Sequence, residues 1–90
     1  MLNKIHLKIS VVCPTYNSSR FIIPTLKTVL EQKTVPYELI VSDDGSSDDT
    51  TEKVKLLFQS YKGPMRTKIL YNNHKGAGAT RNAAIIESKG

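Results

Sequence analysis

Three short runs of apolar and β-branched residues, Lys8–Cys13, Tyr37–Ser42 and Thr67–Tyr71, punctuate the chain at strand length. The first two are continuous rather than alternating, the pattern of parallel strands covered on both faces. Between the runs, apolar positions recur at helical spacing. Ile22, Leu26, Val29 and Leu30 fall on one face of a predicted helix. Pro24 places its start near Phe21, because a proline in the first turn loses no hydrogen bond. Val54, Leu57, Phe58 and Tyr61 form a second stripe, with Asp49 and Glu52 spaced as a capping box ahead of it and Gly63-Pro64 after it. A third helix is predicted from about Ala77 to Ser88. The order β-α-β-α-β-α predicts an α/β fold built on a parallel sheet with right-handed crossovers. No repeat, low-complexity tract or linker interrupts it, so residues 1–90 read as one unit.

Composition narrows the picture without directing it. Ninety residues, 39% hydrophobic and 23% charged, allow one domain with a thin core. No apolar run is long enough to span a bilayer. Met1 to Ser10 lacks the continuous apolar stretch of a signal peptide, so the cytoplasm is the expected compartment. The lone Cys13 offers no disulfide or metal cluster and is expected to behave as a small buried hydrophobe. A net charge of +5 attracts anions in general. The lysines and arginines are dispersed, with no aromatic platform among them, so nucleic acid is not an expected partner.

Candidate chemistry gathers where the strands end, the side of a doubly wound sheet that binds ligands. Three polar segments follow the three predicted strands. In Asp43-Asp44-Gly45-Ser46-Ser47-Asp48-Asp49-Thr50, two carboxylates leave the second strand ahead of a glycine turn. A helix N-terminus accounts for Asp48 and Asp49. It does not account for Asp43 and Asp44, which repel each other before the turn and are placed to accept hydrogen bonds from a base N–H or a ribose hydroxyl. In Pro14-Thr15-Tyr16-Asn17, Tyr16 either stacks on a flat base or packs over its own loop, and Asn17 is suited to capping the next helix. The third segment, from Asn72 to Asn82, opens a helix with Gly76 and Gly78 and carries Lys75 and Arg81, a pattern suited to phosphate. Arg81 stands where a dinucleotide fingerprint needs its third glycine, and that fingerprint follows a first strand, not a third. No P-loop pattern is present. His6 reads as a surface residue, and His74 lies beside the third loop without a specific role.

Together the segments resemble the opening of family 2 glycosyltransferases. Ile9 to Asn17, Glu38 to Thr50, and Asn73-His74-Lys75-Gly76 running on to Ala79-Thr80-Arg81-Asn82 match its motifs in order and cover almost the whole chain. Asp49 stands where the family favours glycine, and Thr80 where alanine is common. The resemblance implies the Rossmann-like N-terminal half of a GT-A fold and a nucleotide-diphosphate sugar donor, often a UDP-sugar. It implies a base pocket lined by Pro14, Thr15 and Tyr16 with Asn17 beside it. Asp44 would hydrogen-bond the base, with Asp43 and Gly45 supporting the loop and Lys75, Arg81 and Asn82 near the nucleotide. It also implies Mn²⁺ or Mg²⁺ held by a later acidic motif, and a catalytic base and a saccharide or lipid-linked acceptor site later still. Gly90 falls where the strand leading to that motif should begin.

The expectation is therefore a glycosyltransferase fragment carrying the donor half-site, inactive alone and without a metal of its own, the parent working at the cytoplasmic face of a membrane. A non-catalytic nucleotide- or anion-binding module is the alternative. A flavodoxin-like phospho-acceptor is disfavoured, because the first strand ends in Pro-Thr-Tyr-Asn instead of acids. With no strand beyond it, Lys8–Cys13 would be an open edge, so self-association is expected as well.

Overall fold

The computed structural model describes residues 5–6, 9–73, 76, 82, 85–86 and 88. Its centre is a parallel sheet of β2 (Ser10–Thr15), β4 (Glu38–Asp43) and β5 (Arg66–Tyr71), with β4 in the middle. Helix α1 (Ile22–Leu30) joins β2 to β4, and α2 (Thr50–Ser60) joins β4 to β5. A two-residue β1 (Ile5–His6) pairs in parallel with an equally short β3 (Thr34–Val35). That small ladder was not foreseen, because two residues carry no period to read.

Every residue of β4 is buried, as a continuous apolar run requires. β2 departs from the same expectation and is only half-buried until Thr15. The cause is position: among the described strands β2 is an edge, with a neighbour on one side only. It also runs two residues past the predicted end, through Pro14 and Thr15. The Thr15 carbonyl faces β4, accepting the Asp44 N–H at 2.9 Å. Alternate residues face opposite sides, so position 14 points away from β4, where a missing donor breaks no ladder bond.

Both helices cover one face of the sheet. Ile22, Leu26 and Leu30 of α1 and Val54 of α2 close over Leu39 and Val41 of β4, with Val35 and Met65 at the margins. Leu57, Phe58 and Tyr61 pack against this core half-buried, as their stripe predicts. α1 starts after Phe21 and carries Pro24 in its first turn. α2 ends at Ser60, three residues before Gly63. Tyr61 then turns extended, and its hydroxyl accepts the Met65 N–H at 3.2 Å. The Tyr61 ring lies so close to Gly63 that a Cβ there would overlap it. The predicted third helix lies mostly outside the described residues; Asn82, Ile85 and Ile86 within it are helical.

The register decides where chemistry can occur. Thr15 pairs with Asp43 and Asp43 with Tyr71, so the three strands finish on one row. All three polar segments leave the sheet from that row.

Candidate functional site at the carboxyl ends of the strands

The two adjacent aspartates do different work. Asp43 is 2% exposed. Its Oδ2 accepts the N–H groups of Gly45 at 3.1 Å and Ser46 at 2.8 Å, and its Oδ1 accepts the Ser46 hydroxyl at 2.6 Å. An aspartate that accepts from the backbone two and three residues on is building its own turn. Gly45 completes that turn at φ 80°, a left-handed conformation that glycine adopts without strain. Asp43 thus spends its carboxylate on the loop.

Asp44 is 3% exposed and its role is to bridge. Its N–H donates to the Thr15 carbonyl, one residue before Tyr16. Its Oδ2 accepts the Gly76 N–H at 3.0 Å, which draws the third loop onto the second. Gly76 has φ 93° and nothing near the place a Cβ would take. Tyr16 is 47% exposed at the mouth of this arrangement. The neighbouring Thr15 hydroxyl is buried with no hydrogen-bond partner among the described residues.

Asn17 departs from the expectation of a helix cap. α1 has no side-chain cap; the Ser18 carbonyl takes the N–H groups of Phe21 and Ile22 instead. Asn17 adopts φ 46°, a left-handed conformation asparagine tolerates better than most residues. From there its Oδ1 accepts the N–H groups of Ser47 at 2.8 Å and Asp48 at 3.3 Å. Its own N–H donates to the Ser46 hydroxyl oxygen at 2.8 Å.

The predicted capping box at α2 does not form either. Asp49 occupies the cap position without a side-chain bond to the helix. Its carboxylate accepts the Ser19 hydroxyl and stands 4.0 Å from the Lys53 ammonium. Asp48 serves the helix start instead, accepting the Thr50 N–H at 3.0 Å together with the Thr50 hydroxyl. The Thr50 hydroxyl holds the Asp48 carboxyl below its usual range, helped by backbone N–H groups, although burial works the other way. Thr50 Oγ1 also accepts the Ser18 N–H at 2.9 Å, so a fully buried threonine staples the first loop to the second helix.

Three contributors carried no individual signal in the sequence. Ser46 and Thr50 look like ordinary loop and helix-start residues. Asn72 donates through Nδ2 to Ser42 Oγ at 2.9 Å and to the Asp43 carbonyl at 3.0 Å, locking the end of β5 to β4. A spacing of three between Asp43 and Ser46 was the available clue to the turn. Of the residues predicted for the third loop, Asn82 is helical and exposed. Lys75, Arg81 and His74 lie outside the described residues. Cys13 is half-buried, and burial pushes its thiol up, away from a nucleophile's range.

The described residues contain no group of three or more His, Cys, Asp and Glu that could hold a metal ion. Asp43, the best-placed acid, is already occupied by its own turn. The Mn²⁺ or Mg²⁺ implied by the resemblance therefore finds no ligand set among them. No helix of the described residues is long and apolar enough to cross a membrane.

Residues 10–90 match the family model described as glycosyl transferase family 2. Among curated relatives, the chain is 30% identical over 82 residues to chondroitin synthase of Escherichia coli, covering 91% of this chain and 12% of that protein. It is 37% identical over 83 residues to the E. coli UDP-Glc:alpha-D-GlcNAc-diphosphoundecaprenol beta-1,3-glucosyltransferase WfgD, covering 91% and 31%. It is 40% identical over 85 residues to validoxylamine A glucosyltransferase of Streptomyces hygroscopicus subsp. limoneus, covering 89% and 18%. The chain thus spans less than a third of each of these relatives. No solved structure matches it at a significant level.

Proposed function

The chain belongs to glycosyl transferase family 2, and we propose that its three loops form the half-site for the nucleotide of a nucleotide-diphosphate sugar. The single observation that carries the assignment is the placement of Asp44. It lies in the turn that Asp43 organises at the end of β4, its carboxylate accepts the Gly76 N–H, and its own N–H is bonded to the residue before the half-exposed Tyr16. A nucleobase stacked on Tyr16 would then lie within reach of Asp44, an acceptor that reads a base N–H. UDP is the favoured nucleotide, as the name of one relative carries UDP-Glc.

In the whole protein, a glycosyl group would pass from the donor to an acceptor hydroxyl. The bond from the anomeric carbon to the diphosphate oxygen breaks, the bond to the acceptor oxygen forms, and the hydroxyl proton leaves to a base. The residues described here bind and orient the nucleotide; the base, the metal and the acceptor site are the work of other residues. A lipid-diphosphate acceptor, of the kind named for that same relative, would place the reaction at a cytoplasmic membrane face.

The test is a titration of isotope-labelled protein with UDP and with GDP, following backbone amides. Residues 14–17 and 43–46 should shift at millimolar nucleotide, UDP more than GDP, and Asp44→Ala should abolish the response. Silence of both loops toward both nucleotides would sink the donor half-site.

A further inference from the structure

Among the side chains that join the first loop to the second, Asn17 makes the link nearest to Tyr16 and the Asp43 turn. It lies next to Tyr16 in sequence, yet its hydrogen bonds run to the other loop, to Ser46, Ser47 and Asp48. The Ser46 it bonds is the residue whose N–H and hydroxyl close the Asp43 turn. Asn17 therefore couples the segment that carries Tyr16 to the turn that carries Asp44. We propose that Asn17 is a positioning residue of the nucleotide site, setting the separation of Tyr16 and Asp44 without itself touching the nucleotide. The proposal rests on the donor half-site described above.

The chemistry suits an amide side chain. Its carbonyl oxygen has two lone pairs and receives two neighbouring backbone N–H groups, which no aliphatic or cationic side chain could do. Asparagine also tolerates the left-handed backbone at φ 46° that aims this oxygen across the gap. The surroundings are exposed, so water can replace the lost bonds if Asn17 is removed. Loss of Asn17 is then expected to loosen the relation between the loops more than to unfold the protein. A stacking ring and a hydrogen-bond acceptor that must meet the same base tolerate little such play, since each ångström of error weakens one contact or the other.

Three substitutions separate backbone from side chain. Asn17→Gly keeps the left-handed backbone and removes the oxygen; Asn17→Ala removes both advantages; Asn17→Asp keeps an acceptor at the same reach. UDP affinity is read by amide titration of the 90-residue protein, with folding checked by circular dichroism and urea unfolding. We expect Asn17→Gly and Asn17→Ala to weaken UDP at least tenfold while remaining folded, and Asn17→Asp to stay within about threefold of the parent. The Ser47 and Asp48 amides should exchange faster in the two variants that lack an acceptor. An Asn17→Gly protein that binds UDP like the parent overturns the proposal and leaves the half-site standing. A drop in stability with unchanged affinity does the same, assigning Asn17 a purely structural role. No UDP binding by the parent overturns the half-site, and the positioning role with it.

Discussion

Removing the Asp43 carboxylate should cost stability first and binding only as a consequence. Asp43→Ala deprives three donors of their acceptor: the Gly45 and Ser46 N–H groups and the Ser46 hydroxyl. A hydrogen bond to a charged group contributes about 1.5–3 kcal/mol. Gly45 is exposed and Ser46 half-buried, so water recovers part of each loss. A net destabilisation of about 2–4 kcal/mol follows. A protein of this length has about 5–13 kcal/mol to lose, so the variant should fold, with a visibly lower midpoint. Urea unfolding followed by circular dichroism is the assay. With a slope of about 1–1.5 kcal/mol/M the midpoint should fall by roughly 1.3–4 M. Asp43→Asn, which keeps one acceptor oxygen but turns an N–H group toward donors, should lie in between. A stability within about 0.5 kcal/mol of the parent, combined with complete loss of UDP binding, would refute the reasoning. Asp43 would then be a ligand contact and not the organiser of the turn.

Other consequences are open to equally direct tests. Asp49→Ala should change stability by less than about 1 kcal/mol in the same unfolding assay, because Asp49 is itself exposed and its partners are the Ser19 hydroxyl and a partly exposed lysine at 4.0 Å. A larger loss would restore it as a helix cap. The Asp48 carboxyl should titrate below its ordinary value of 3.8, and Thr50→Val should raise it, both read by the carbon shift of the carboxyl. Because the folded value is depressed, the stability this contact contributes is present above about pH 3.8 and lost as the pH falls through the lower folded value. Finally, sedimentation of the 90-residue protein should show its average mass rising with concentration at physiological salt, since β2 pairs on one side only among the described strands. A monomer at every concentration would mean that this edge is covered or that Pro14 is enough to blunt it.

The sequence by itself determined the order of the three main strands and the two helices between them, the identity of the central strand's core and where the first two chemistry-bearing segments leave the sheet. Those features are local or periodic. Ile22, Leu26 and Leu30 announce their buried face by spacing, and the unbroken run Leu39-Ile40-Val41 announces a strand with no solvent side. Two adjacent acids ahead of a glycine likewise announce a turn with something to hold. The sequence could not assign hydrogen-bond partners across the loops. The capping roles expected of Asn17 and Asp49 followed local rules, because both residue types favour caps, although only Asp49 stands at a helix start. Tertiary packing overrode them: once β2 and β4 align so that Thr15 meets Asp43, the Asn17 oxygen lies nearer to the Ser47 and Asp48 amides than to α1. The same alignment separated two aspartates that look equivalent in sequence, turning one carboxylate back into its own loop and the other toward Gly76. A side chain with several possible partners takes those that the register of distant strands brings within 3 Å, and that register is a property of the whole sheet.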